Sequence, residues 1–407
     1  MKTITLILPL LGAAALNAFA VNEVVTSSTT ELNQTYEGTA TEAALRVEGE
    51  GVTYTGENIT LSSTFAADDF ADFTGKGVYA QNGVILSLLG GSITTSGRDG
   101  VGFYLTGASD ATLTDVNITT TGEGGYGVYL NYASTLTLTG GAINVSGESS
   151  GGLYFQNFGE GFNTATVSGV DINVTGEGGM GLLLESSILT LTNSNINVTD
   201  EYGFGLALMN SDATVDLNNN TLTGNIYVGG SELTLTGSNG SKITAGQVFG
   251  DDGVIDITLT GDGTVFSGNL NASDEDALTI KLTISAGALL EGGGTVSDLV
   301  LNDGASYAYH PDYGTLTITD SIQVGDNITI DFSNLTESED YTVLDWSDAE
   351  VIGTISDSQF TAIGAAGEFH VDANGQLIFT AAIPEPTTWF LLSLGLGALA
   401  LIRRRRH

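Results

Sequence analysis

Self-similarity at a short period is the feature that most constrains this chain. Starting at Gly97, Gly122, Gly147 and Gly176, the segments "GRDGVGFYLTGASDATLTDVNITTT", "GEGGYGVYLNYASTLTLTGGAINVS", "GESSGGLYFQNFGEGFNTATVSGVDINVT" and "GEGGMGLLLESSILTLTNSNINVT" align along their whole length. "GKGVYAQNGVILSLLGGSITTS" from Gly75 fits as an earlier unit, and "DEYGFGLALMNSDATVDLNNNTLTGN" from Asp200 as a looser, later one. Units of 24 to 29 residues are too small to bury a core singly, so they must stack into a solenoid.

Within each unit the apolar residues alternate with polar ones, with no helical spacing. "GVYLN", "TLTLT" and "AINVS" are three such segments in one unit, each short and rich in β-branched residues. Leucine-rich repeats share the length, but their fixed leucine frame is absent. The expectation is an all-β, right-handed parallel β-helix with three strands per coil, each coil advancing by one strand spacing, ~4.8 Å. Alternation points Phe103 and Leu105, Val128 and Leu130, Leu153 and Phe155, Leu182 and Leu184, and Leu206 and Leu208 inward from the first segment. Val116 and Ile118, Ile143 and Val145, Ile172 and Val174, and Ile196 and Val198 do the same from the third.

The outward columns are where recognition would lie. Tyr79, Tyr104, Tyr129 and Tyr154 recur every 25 residues. They fit either a sugar-stacking platform or a cross-strand ladder that fixes register, the latter being preferred. Arg98, Glu123, Glu148, Glu177 and Glu201 form a second column in the Gly-rich turn. Carboxylates one coil apart repel and invite a cation such as Ca²⁺ at Glu123, Glu148, Glu177 and Glu201. The Gly-Gly-x-Gly-x-Asp calcium repeat is absent, so solvated turn carboxylates and no cofactor are expected. Asn117, Asn144, Asn173 and Asn197 make a third column, whose N-x-[ST] triplets follow automatically from the alternation.

The chain of 407 residues carries formal charge −38, no cysteine and 56 glycines. A disulfide framework and thiolate chemistry are excluded, and an acidic surface of this size repels nucleic acid. The basic residues are unevenly placed. Apart from Lys2 and the block Arg403, Arg404, Arg405 and Arg406, only Arg46, Lys76, Arg98, Lys242 and Lys281 are present.

Both ends read as addresses. Residues 1–20, "MKTITLILPLLGAAALNAFA", have the charge, apolar core and small-x-small ending of a secretory signal peptide. Cleavage is expected between Ala20 and Val21, with Ala18 and Ala20 as the small residues, and export would run through Sec-type machinery. At the far end, residues 383–407 combine Pro384-Glu385-Pro386, an apolar stretch at 387–402 and the arginine block at 403–406. Those 16 uncharged residues fall short of the ~20 a comfortable membrane helix needs. The arginines would stop transfer on the cytoplasmic side, and the prolines hold the junction extended.

This order of features resembles the PEP-CTERM sorting signal of Gram-negative bacteria. The resemblance implies a transient inner-membrane intermediate, cutting by an exosortase, surface display or release, and a tie to exopolysaccharide and biofilm. Between the addresses the expected parts are an N-terminal β cap with first coils at 21–74, β-helix repeats at 75–300 (clearest at 75–224), and a C-terminal β module at 301–382. Coils followed by a cap resemble autotransporter passenger repeats, with a sorting helix where a translocator barrel would follow.

A β-helix also frames pectate lyases and polygalacturonases, so catalysis needs weighing. Lyases of that kind require carboxylate-bound calcium and a basic residue, for which the regular coils offer only Lys76 and Arg98, both expected at turns. Hydrolases require clustered aspartates with a histidine. Here His310 and His370 lie outside the clear repeats, and Asp68-Asp69 and Asp251-Asp252 are pairs expected by chance in so acidic a chain. No G-x-S-x-G, H-E-x-x-H or P-loop is present. The expectation is a non-catalytic structural or adhesive solenoid, the alternative a carbohydrate-active enzyme.

Overall fold

A computed structural model describes residues 22–67, 73–159, 161–210, 212–270, 278–335 and 340–382. The signal-cleavage residues Ala18, Ala20 and Val21, the sorting residues Pro384, Glu385 and Pro386, and Arg403 to Arg406 lie outside them, as do Asp68 and Asp69. Among the described residues there is no α-helix, and no helix long and apolar enough to cross a membrane.

The chain winds through about 12 turns of a parallel β-solenoid. One coil shows the plan. Tyr126–Asn131 lies in the first sheet, Thr135–Thr139 in the second and Ala142–Val145 in the third. Each strand pairs in parallel with its counterparts one coil before and after. Val128 aligns with Phe103 and Leu153, Leu136 with Ala111 and Ala165, and Ile143 with Ile118 and Ile172. All the inward residues inferred above are buried in one continuous core, none more than 6% exposed.

Glycine makes the close winding feasible at two places. Gly127 occupies the second position of its strand, where a Cβ would come within 2.3 Å of Ile143 Cγ2 on the facing strand. The isoleucine column of the third sheet therefore fills space that only glycine leaves open in the first. In the turn from third to first sheet, a Cβ on Gly122 would meet the Gly97 carbonyl oxygen at 1.9 Å, so successive turns ride directly on one another. The turn from second to third sheet instead holds Asn33, Asn58, Asp115, Asn193, Asn219 and Asn239 at φ between 50° and 57°, the left-handed region that Asn and Asp tolerate. Side-chain amides link some of them, Asn58 donating to Asn33 at 3.3 Å and Asn219 to Asn193 at 2.6 Å.

Buried polar ladders close the corners. Ser109 Oγ donates to the Thr106 carbonyl at 2.7 Å, the Ser109 amide donates to Ser134 Oγ at 3.3 Å, and the Ser134 amide to Asn163 Oδ1 at 3.1 Å. Ser194, Asn220 and Ser241 repeat the device at another corner. Each supplies an acceptor to an amide that leaves the sheet and would otherwise be buried unpaired.

The ends are plugged by aromatic residues. At the first coils the hydroxyls of Tyr36 and fully buried Tyr54 both donate to Glu31 Oε2 at 2.8 Å. Toward the other end, parallel pairing continues past Leu301: Gly294 to Leu301 align with Leu316 to Val324, and Ile328–Asp331 pairs with Phe360–Ile363. Among the described residues antiparallel pairing comes only with Gln376–Ala381, flanked by Asp340–Asp345 and Gly367–Val371. Phe332 stacks on Phe379 at 4.1 Å beneath this hairpin. The hairpin covers strand edges that an open solenoid would offer to another chain.

Because Ile143 touches both the core and the glycine column, Ile143→Ala should lower unfolding stability by about 3 kcal/mol. Val145→Asp, which strands a carboxylate in the stack, should unfold the repeats at room temperature. Thermal melts followed by circular dichroism check both; unchanged midpoints would reject the facing.

Candidate functional surface: the outward columns

The tyrosines do form one column on the outer side of the first sheet, in register from Tyr79 through Tyr104 and Tyr129 to Tyr154. Above it the column continues with Leu183, Ala207, Tyr227 and Phe249, and Arg46 precedes it. The rings of Tyr79, Tyr104 and Tyr129 lie face to face, 4.9 and 4.7 Å apart at interplanar angles of 11° and 10°. Tyr154 closes the stack edge-on at 4.7 Å, and Phe73 meets Tyr79 edge-on at 4.8 Å. The four tyrosines are 1–9% exposed and share a second apolar cluster with Val101, Tyr126 and Leu183.

This differs from a sugar-stacking platform. Strand spacing brings Tyr79, Tyr104 and Tyr129 face to face, and burial of all four rings leaves no open platform for a pyranose. Tyr129 donates its hydroxyl to Gln156 Oε1. Burial holds the Tyr129 and Tyr154 hydroxyls protonated far above the usual tyrosine range, and the neighbouring Glu185 carboxyl, itself pushed up by burial, adds to this.

Lys76 departs further from its expected place at a turn. It is the first residue of Lys76–Gln81, aligned with Val101, and is fully buried. Its ammonium donates to the Thr74 carbonyl at 3.2 Å and lies 5.7 Å from the centre of the Tyr104 ring. Arg98 does sit in the exposed turn, 3.6 Å from Glu123 and 3.5 Å from Asp99. The glutamate turns stack through their backbones: the amides of Asp99, Gly124 and Ser149 donate to the carbonyls of Glu123, Glu148 and Glu177 at 2.8–2.9 Å. The Glu123, Glu148, Glu177 and Glu201 side chains point to solvent. Among the described residues no three His, Asp or Glu side chains gather as a metal site would require.

The asparagine column is regrouped by register. Asn144, Asn173 and Asn197 do align, with Asn173 donating to Asn144 Oδ1 at 3.1 Å. Asn117 does not belong to them. It pairs with Ala142, in the adjacent column that carries Asp171 and Asn195, while Thr119 occupies the place below Asn144.

The remaining enzyme candidates stay apart. His310 lies in a turn against Tyr313, 3.7 Å from Asp312, and His370 is exposed on the terminal hairpin. Asp251 and Asp252 line an open groove of about 280 Å³ with Met209, Asn210 and Tyr227, and Tyr227 donates to Asp251 Oδ2 at 3.2 Å. Among the described residues no lysine, arginine or histidine lines that groove.

With this geometry in hand, two family models match the chain. Residues 69–269 match the right-handed beta helix region, and residues 382–406 match the PEP-CTERM protein-sorting motif. No curated protein matches significantly. Among solved structures, the autotransporter UpaB from E. coli strain CFT073 aligns over 88% of this chain and 100% of its own, at 15% identity and a TM-score of 0.44. The chain is a right-handed β-helix protein bearing a PEP-CTERM sorting signal. That signal implies an exosortase as processing partner.

The buried hydroxyls make stability pH-dependent. In the unfolded chain tyrosines ionise near pH ~10, whereas the folded Tyr129 and Tyr154 hold their protons to higher pH. Stability contributed this way is complete below pH ~10 and falls as pH rises above it, because the unfolded state then sheds protons first. Tyrosinate absorbance from the ladder should appear only together with unfolding. Tyr129→Phe should cost about 1 kcal/mol and Tyr129→Ala roughly 3 kcal/mol or more, as measured by urea denaturation.

Proposed function

We propose that this protein is a non-catalytic, exported solenoid, displayed at or shed from the surface of a Gram-negative-type bacterium, with a structural or adhesive role in an exopolysaccharide matrix. The sorting motif carries this reading. It stands at the end opposite a signal-peptide-like leader and supports export of the β-helix. Sec-type export, a transient span by residues 387–402 held by the arginine block, and cutting beside Pro384-Glu385-Pro386 form one sequence of events. The solenoid suits a task outside the cell. It needs no disulfide, and its net charge of −38 keeps it soluble. Its stiffness comes from strands that pair on both sides along nearly its whole length.

The groups a polysaccharide-cleaving site would draw on are spent elsewhere. Lys76 is enclosed, Arg98 pairs with exposed carboxylates, and the Asp251–Asp252 groove brings two carboxylates with no lysine, arginine or histidine among its described lining residues. Fold likeness to carbohydrate enzymes therefore adds nothing without a site.

Mass spectrometry of the secreted protein's C-terminus tests the sorting half. The expected product ends near Pro384–Pro386 in cells with the exosortase, and Pro384→Ala with Glu385→Ala should leave the full tail in the membrane fraction. A secreted form retaining His407 would refute it.

A further inference from the structure

The second sheet carries a feature that neither the sorting signal nor the core requires. Its central outward column holds Thr112, Thr137, Thr166 and Thr190 in unbroken register. Thr135 and Thr164 flank it on one side, Thr139 and Ser168 on the other. All are exposed or half-buried, while the alternating Leu136, Leu138 and Val167 are buried and hold the pleat. Among the described residues, the hydroxyls of the four central threonines make no side-chain hydrogen bond. From Thr135 to Thr192 these three columns contain no formal charge, in a chain of charge −38.

We propose that this face binds ice. The array repeats in two directions, ~4.8 Å from coil to coil and ~6.6 Å between alternate residues of a strand. The prism faces of hexagonal ice present oxygen atoms on a rectangular lattice of closely similar spacing. Each threonine offers one hydroxyl to continue that lattice and one methyl to fill the space between its oxygens. The β-branched side chain has few rotamers, and the strand beneath is hydrogen-bonded on both sides. Little ordering is therefore left to do when the surface meets a solid, and many weak contacts add along a rigid array.

The same chemistry disfavours other partners. A glycan site wants aromatic faces and forked amides or carboxylates, and a mineral or ionic surface wants charge; between the bounding Asp110 and Asp216 these columns offer neither. The inference concerns the folded solenoid alone and does not depend on how the tail is processed.

The test is to grow ice slowly from a dilute solution of the purified protein and measure the fraction taken into the solid, alongside inhibition of ice recrystallisation. Wild type should be enriched in the ice. The pair Thr137→Lys with Thr166→Lys should lose most of that enrichment. Thr137→Val with Thr166→Val, which keeps shape and methyls but removes hydroxyls, should lose part of it. Asn144→Lys with Asn173→Lys, the same burden of charge on the third sheet, should retain it, and circular dichroism melts identify any variant that fails to fold. Exclusion of wild type from ice overturns the proposal, as does equal loss in the folded third-sheet variant. Binding to an insoluble neutral glucan that the threonine variants lose, without ice enrichment of wild type, would reassign the face to polysaccharide.

Discussion

Everything in this molecule depends on the parallel hydrogen-bond ladder between successive coils. A single coil of 24 to 29 residues has too little apolar surface to offset its loss of conformational freedom. Once Val128 lies between Phe103 and Leu153, and Ile143 between Ile118 and Ile172, each coil completes the burial of the one below. The ladder also fixes the strand spacing, and every other regularity inherits it: the tyrosine stack, the glycine corners, the asparagine turns and the threonine array.

That inheritance separates two kinds of outward column. Flat rings one strand spacing apart are already at stacking distance, so the tyrosines of the first sheet satisfy one another and join a second apolar cluster. The central threonines of the second sheet are not hydrogen-bonded to one another as the buried Thr95 and Thr120 are, and they remain exposed or half-buried. The first sheet's outer face thus contributes to stability, whereas the second sheet's outer face is free to meet something outside. The sorting motif at residues 382–406 is consistent with that division.

The architecture is largely legible in the sequence. The repeat, its three segments and the alternation within each are local properties, and each inferred inward residue of the clear coils is buried. The tail motif was legible as well, because its three features stand in a fixed order. Less visible was the long continuation of parallel pairing beyond Leu301, where larger residues and irregular spacing hide the period.

The sequence by itself determined the period, the strand count per coil and which side chains face inward, because these follow from a two-residue alternation and the need to bury it. Only the tertiary structure decided which residues share a column. Asn117 and Asn144 look alike by eye, but successive coils here pair at a constant offset that sets Asn117 against Ala142 and Thr119 against Asn144, so the two asparagines fall in neighbouring columns. It likewise decided that Lys76 is enclosed, that Ser109, Ser134 and Asn163 hand acceptors from coil to coil, and that the tyrosine faces are occupied. Those outcomes depend on what lies one coil away, some 25 residues distant in the chain, a relation that local pattern does not encode.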